Sequence, residues 1–223
     1  MHKVYHTGVY TIYMNWLKKS FIWLLNTLFP GNELEEEIRS MSLSDITQKI
    51  TPKGSDNITS LLNYRDPIVR KMVWMLKYHG DRHVSKLFAG ILDDYLLEEL
   101  SDIEVFDKVE VILMPIPLSR ARIHARGFNQ IELVLKNLKN DYKIDAKSLI
   151  KSRNTKPQTE IRKKEERIKN VVGAYSISNP EEIKNKHIIL IDDVATTGST
   201  LKEAKKALLE NGAKNIECLA FAH

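Results

Sequence analysis

The chain predicts an α/β fold, a parallel sheet flanked by helices and preceded by a helical extension. Two stretches, "VEVILMPIP" (residues 109–117) and "HIIL" (residues 187–190), are short apolar runs rich in branched aliphatics, as strands buried on both faces read. Amphipathic helical patterns separate such runs, and that alternation implies right-handed crossover units in one sheet. At 223 residues the chain has room for one core and an accessory segment. The expected division is residues 1–56 as extension and linker, and residues 57–223 as the main domain.

In the extension, Leu17, Phe21, Leu24 and Leu28 recur at helical spacing and form one apolar stripe. Lys18 and Lys19 interrupt the segment short of the roughly 20 apolar residues a membrane span needs, so a packed helix is expected. No signal-peptide pattern is seen, and Met14 is a candidate start. Residues 30–57 are polar, punctuated by Pro30, Gly31, Pro52 and Gly54, and read as a linker with one weak helix.

Asp66 can cap a helix with Pro67 in its first turn, an apolar face from Ile68 to Leu76 and Gly80 as its stop. A second helix is expected over about residues 84–99. After the strand at 109–117 come a basic turn, "LSRARIHARG", and a helix over about residues 128–138. "KIDAKSLI" and "VVGAYSI" read as further strands on either side of a charge-dense segment, residues 151–170. "KHIILIDD", a helix from Ser199 ending at Gly212, and "IECLAFA" complete the chain.

The net charge of +5 permits anionic partners and selects none. Cys218 is the only cysteine, which rules out an internal disulfide and a thiolate zinc cluster and suits a reducing cytoplasm. Ligands collect at the carboxyl ends of parallel strands, which directs attention to the turn after Pro117, the segment after Ile150 and the stretch after Ile191.

That last stretch, "IILIDDVATTGST", sends a buried strand into Asp192 and Asp193 and then into small hydroxyl residues and a glycine. Paired carboxylates can accept hydrogen bonds from vicinal hydroxyls. Gly198 permits close backbone approach, Thr196, Thr197, Ser199 and Thr200 offer hydroxyls, and a helix N-terminus favours an anion. Together these describe a ribose 5-phosphate site. The plain alternative is a capped helix after a strand with two solvated aspartates.

At these residues the sequence resembles the signature of type I phosphoribosyltransferases, which bind 5-phosphoribosyl-1-pyrophosphate (PRPP). "LKYHGDR", "MPIPLSRARIHARGFNQIELV" and "RNTKPQTEIRKKEERIKNVVGAY" are similar, in order and spacing, to the ComF family associated with competence for DNA uptake. The resemblance covers roughly residues 60–223. It implies a type I phosphoribosyltransferase-like sheet, with Asp192 and Asp193 on the ribose hydroxyls and Ala195, Thr196, Thr197, Gly198, Ser199 and Thr200 on the 5'-phosphate.

The resemblance further implies a pyrophosphate loop at Leu118, Ser119 and Arg120, often with a non-proline cis peptide, so that a trans loop would weigh against turnover. It also implies a mobile loop in which Lys156 and Arg162 neutralise departing pyrophosphate and Gln158 touches it. Lys156, Arg162 and Asp193 are the catalytic candidates. Mg2+ is expected with PRPP, held mainly by its oxygens, and no protein metal ligand is expected. The acceptor is an unidentified base or amine.

Two other readings of the charged segment remain open: an exposed helix with i, i+4 ion pairs, and a single-stranded-DNA contact. A non-enzymatic PRPP- or nucleotide-binding component of the uptake machinery, with partners among the competence proteins, is the alternative function. Asn129 is a candidate cap or loop-orienting residue, and Phe128 a core residue. ComF-like proteins commonly begin with a cysteine-rich zinc segment, and this chain has no cysteine before Cys218. His79 and His83 do not replace it, because Gly80 interrupts the helix that would align them.

Overall fold

The computed structural model describes residues 33–55, 57–107, 110–153, 155 and 164–223. The Leu17–Leu28 stripe and Met14 lie outside them, as do Lys156, Gln158 and Arg162. Two compact units divide the chain, Met1–Ser40 and Met41–His223. In the first, helix α1 (Glu33–Ser40) opens on Glu33, Glu35 and Glu36, charges suited to the positive end of a helix dipole.

The second unit is built on a five-stranded sheet of β1 (Ile50–Ser55), β2 (Ile58–Leu62), β7 (Asn215–Ala222), β6 (His187–Val194) and β3 (Val111–Pro115), in that spatial order. The four strands from β2 to β3 run parallel and β1 pairs antiparallel with β2. A separate two-stranded antiparallel ribbon joins β4 (Leu149–Lys151) and β5 (Tyr175–Ile177).

Around the sheet lie α2 (Leu43–Thr47), α3 (Pro67–His79), α4 (Arg82–Asp107), α5 (Arg120–Arg126), α6 (Gln130–Leu135), α7 (Lys164–Val171), α8 (Pro180–Ile183) and α9 (Ser199–Glu210). No described helix is long and apolar enough to cross a membrane.

Local chemistry explains the element ends. Asp66 accepts from the Ile68 amide at 2.8 Å, Pro67 needs no partner for its missing N–H, and Gly80 closes α3 at φ +59°. Phe128 lies against that glycine: a Cβ there would come 3.1 Å from Phe128 Cζ. Even-numbered side chains of β6, Ile188 and Leu190, pack with Leu201, Ala204 and Leu208 of α9. The opposite sheet face meets α4, where Phe88 stacks on Phe221 with centroids 4.8 Å apart.

Several expectations are corrected. The stretch read as a linker contains two helices and an edge strand. Pro52 is tolerated in β1 because it falls where the register with β2 shifts between Ile50 and Lys53, and an edge strand at a bulge need not donate every N–H. The "basic turn" is helix α5, which buries none of its residues and therefore shows no apolar period. The helix expected over 128–138 is the shorter α6, started by Asn129, whose side chain accepts from Ile131 N at 2.9 Å. "KIDAKSLI" supplies only β4 and an isolated bridge between Ile144 and Leu113.

Candidate functional site

The carboxyl ends of β3 and β6 are neighbours, with Pro115 opposite Ile191 and the Ile116 amide donating to Ile191 O at 2.9 Å. Two of the three loops singled out from sequence therefore leave the sheet side by side. Asn129 ties the first one down, its Nδ2 donating to Ile116 O at 3.0 Å. It serves both as cap of α6 and as anchor of the loop.

Adjacent side chains on a strand point to opposite faces, and the acid pair divides accordingly. Asp193 turns toward α3 and α6 and is 5 % exposed. Its Oδ2 lies 2.8 Å from Lys77 Nζ and accepts from Gln130 Nε2 at 3.0 Å. Gln130 Oε1 in turn accepts from the Arg126 guanidinium. Burial works against the Lys77 charge, but Asp193, with Asp192 behind it, outweighs burial and holds the ammonium pKa above the ordinary lysine value. Burial lowers the Arg126 pKa, against the pull of Asp193 and Tyr78.

Asp192 keeps the face shared with α9 and is only half-buried. Burial, and next the negative charge of Asp193, push its carboxyl up to about 7, while the Asp193 amide that donates to it at 2.8 Å pulls the other way. The β4–β5 ribbon contributes the groups that feel this acid. Lys151 Nζ lies 3.4 Å from the Tyr175 hydroxyl and 5.2 Å from the centre of its ring. Burial, then Arg122 and Arg153, draw the Lys151 ammonium down to about 8, with Asp192 opposing. Burial also raises the Tyr175 phenol, and Asp192 adds to the shift. Arg122 reaches the base of the charged segment, 3.4 Å from Thr155 O.

The turn from Ala195 to Thr200 leads from β6 into α9. The Ala195 amide donates to Ala222 O at 2.9 Å and its carbonyl meets His223 Nδ1, so the backbone of Ala195 serves the fold. Thr197 Oγ1 lies 3.0 Å from Ser199 Oγ. Thr196 is exposed and Thr200 half-buried, while Ser199 is buried. Gly198 stands at the N-cap of α9 with φ +65° and supplies no side chain; the Ser199 amide donates to Thr197 Oγ1 at 3.4 Å, and the positive end of the helix dipole faces the turn. A Cβ on Gly198 would fall 2.3 Å from Ile58 Cδ1. The glycine thus also admits a close approach of β2 to the turn.

In the loop after β3, Leu118 is half-buried and Arg120 exposed, while Ser119 is buried at the N-cap of α5. Its peptide bonds, like all those of the described residues, are trans, in contrast to the cis bond that the resemblance implies. An extended Ser119, φ −64° and ψ 153°, carries the chain into α5.

Sequence reasoning brought Asp192, the turn and the 118–120 loop to one end of the sheet. It did not single out Lys77, Gln130 or Tyr175, and it gave Lys151 only as part of a charged run. Strict alternation along β6 would have separated the two acids. Nothing local points to the partners of Asp193, which tertiary packing supplies.

Magnesium fits this donor set in a limited way. Mg2+ prefers hard oxygen donors and is usually held by one or two carboxylates with substrate phosphates and water. Asp192 supplies one such carboxylate, whereas Asp193 is already taken by Lys77 and Gln130. Among the described residues no group of three or more His, Cys, Asp or Glu is placed to hold a metal.

Comparison with known proteins matches residues 123–223 to the phosphoribosyl transferase domain. Over 174 residues the chain is 31% identical to competence protein F of Haemophilus influenzae, covering 75% of this chain and 72% of that one. It is 32% identical over 153 residues to competence protein ComFC of Bacillus subtilis, covering 69% of this chain and 58% of that one. With DNA utilization protein YhgH of Escherichia coli O157:H7 it shares 25% over 173 residues, 74% of this chain and 71% of that one. The residues around Asp192 thus lie in a phosphoribosyltransferase domain, and the chain belongs to the competence protein F (ComF) family.

Proposed function

We propose that the chain binds Mg-PRPP at the carboxyl ends of β3 and β6 and transfers ribosyl 5-phosphate to an acceptor base or amine, with release of pyrophosphate. The observation that carries this reading is the shared placement of Asp192 and the start of α9 on one sheet face. A carboxylate beside a helix N-terminus suits a molecule with hydroxyls at one end and phosphate at the other.

In this reading Asp192 accepts from the ribose hydroxyls and Thr196, Thr197, Ser199 and Thr200 surround the 5'-phosphate. Leu118, Ser119 and Arg120 border the pyrophosphate, as guanidinium geometry favours. Lys156 and Arg162 neutralise the leaving group and Gln158 contacts it, as the family resemblance implies. Asp193 acts as a positioning residue, holding Lys77 and Gln130 behind the site. Magnesium would supply charge neutralisation on the phosphate oxygens, with Asp192 its nearest protein carboxylate. The names of the relatives, competence and DNA utilization proteins, support a place in DNA uptake, and a chain whose one cysteine is Cys218 suits a reducing cytoplasm.

Isothermal titration with Mg-PRPP, followed by a pyrophosphate-release screen over free bases and amines, tests this. Heat with wild type that drops at least tenfold in affinity for Asp192→Asn is expected, as is pyrophosphate with one acceptor. The screen reads pyrophosphate as well as heat, because binding and turnover are separate events. Heat without pyrophosphate would leave the non-enzymatic alternative, and no heat at all would end both.

A further inference from the structure

The β4–β5 ribbon and helix α5 bring cations to the edge of the proposed site without bringing counter-ions. Lys151 of β4 is half-buried, and its polar partner is the Tyr175 hydroxyl at 3.4 Å. Arg122 of α5, half-buried as well, reaches the Thr155 carbonyl at 3.4 Å. The two lie close enough that the guanidinium acts against the ammonium. Among the described residues neither makes an ion pair.

The other charges on this side are accounted for. Arg153 Nη2 donates to Asn170 O at 3.1 Å and to Val172 O at 2.7 Å, at the end of α7. Asp193 is taken by Lys77 and Gln130. Glu203 of α9, which Tyr175 feels, accepts from the Gly173 amide at 2.7 Å. Asp192 acts on Lys151 and Tyr175 through space and pairs with neither. A charge drawn out of water without a partner is costly, and a bound anion would remove that cost.

The donors indicate which anion. Phosphates are commonly held by successive backbone amides and helix starts, and on this face those lie at the turn from Ala195 into α9. Lys151, Arg122 and Tyr175 offer side chains alone: an ammonium, a guanidinium and a phenol that burial keeps protonated. A carboxylate suits this set, because its two coplanar oxygens match the guanidinium fork and keep lone pairs for the ammonium and the phenol. Tyr175 is buried in one apolar cluster with Leu149, Ala174 and Ile183, so the ribbon holds its donors in place.

We propose that Lys151, Arg122 and Tyr175 form a carboxylate subsite beside Asp192, and that the acceptor of the ribosyl group is therefore an acid, an amine or nitrogen heterocycle that carries a carboxylate. Its nitrogen forms the bond to C1 as the C1–O bond to pyrophosphate breaks with its electron pair, and the nitrogen's proton passes to water. The carboxylate anchors the acceptor and takes no part in the bond changes. That the acid is the acceptor rests on the transfer reading above, whereas carboxylate binding at the ribbon does not.

The test is isothermal titration of two acids, 4-aminobenzoate and nicotinate, and of their amides, into the full chain alone and with Mg-PRPP. Each acid is expected to bind about tenfold more tightly than its amide, with a preference that fades as salt rises. Lys151→Met and Arg122→Gln are each expected to bring the acid down to the level of its amide and to leave the amide where it was. Should Lys151→Met fail to fold, Arg122→Gln, on a helix that buries none of its residues, carries the test.

Acids and amides that bind alike, or acids that do not bind, overturn the proposal. So does an acid preference that survives in both variants. Loss of the Mg-PRPP heat in Lys151→Met with acid binding intact would also overturn it, by giving the cations to pyrophosphate. An acid preference in a chain that gives no heat with Mg-PRPP would keep the subsite and end the transfer reading.

Discussion

Lys77 and Asp193 form a salt bridge of 2.8 Å between a helix and a strand tip, with both side chains largely withdrawn from water. Such a pair is worth most when one partner is removed, because the other is left charged and poorly solvated. Lys77→Met is therefore expected to cost about 3 kcal/mol in urea unfolding, and Asp193→Asn a comparable amount. The double variant should lose less than the sum. Strict additivity would show that the pair is not coupled.

Asp192 gives stability an unusual pH course. Its folded-state pKa, about 7, lies above that of an unfolded aspartate near 3.9, so the folded chain holds the extra proton between these values. Its contribution is complete below pH 4 and is lost as pH rises toward 7. Asp192→Asn should melt higher than wild type at pH 8, by about 2–4 °C for each kcal/mol recovered, and the gap should shrink as pH falls and close by about pH 4. Melting curves over this range decide it, and a gap that widens on acidification would contradict the assigned environment.

Gly198 is expected to be intolerant for reasons of packing and backbone. Alanine there meets a left-handed φ and a Cβ 2.3 Å from Ile58 Cδ1, together costing about 2–4 kcal/mol. Ile58→Ala in the same chain should return part of that loss. Thermal unfolding of the two single variants and the double reads the coupling. A wild-type melting temperature for Gly198→Ala would mean that Ile58 and the turn are not packed as described.

Lys151, drawn down to about 8, should be among the more reactive lysines at pH 7.5, since a neutral amine is the nucleophile. Trace labelling with acetic anhydride, read peptide by peptide, should give a titration midpoint near 8 for this residue. Asp192→Asn removes the charge that favours the ammonium, and the midpoint should fall further. A midpoint near that of ordinary surface lysines in both chains would exclude the buried setting.

Much of the fold could be read along the chain where local signals suffice. The strands β3, β6 and β7 are runs of apolar residues buried on both faces, and α3 carries both of its caps in sequence, Asp66 and Gly80. What escaped depends on partners. β2 is five residues whose pairing is decided by Cys218 to Ala222 of β7. β1 hides behind a proline and a glycine, and α5 has no buried side to leave a period. In the candidate site the turn after Ile191 was legible from its small hydroxyl residues. The embrace of Asp193 by Lys77 and Gln130 was not, because three separate elements build it.

Two acids that are neighbours in the chain thus live in different worlds, one rooted in the scaffold and one open to visitors. The two still feel each other's charge, so a substitution that removes the rooted acid also retunes the visitor-facing one. An extended strand gives them separate packing partners at no cost in length, while their shared charge keeps foundation and opening in touch.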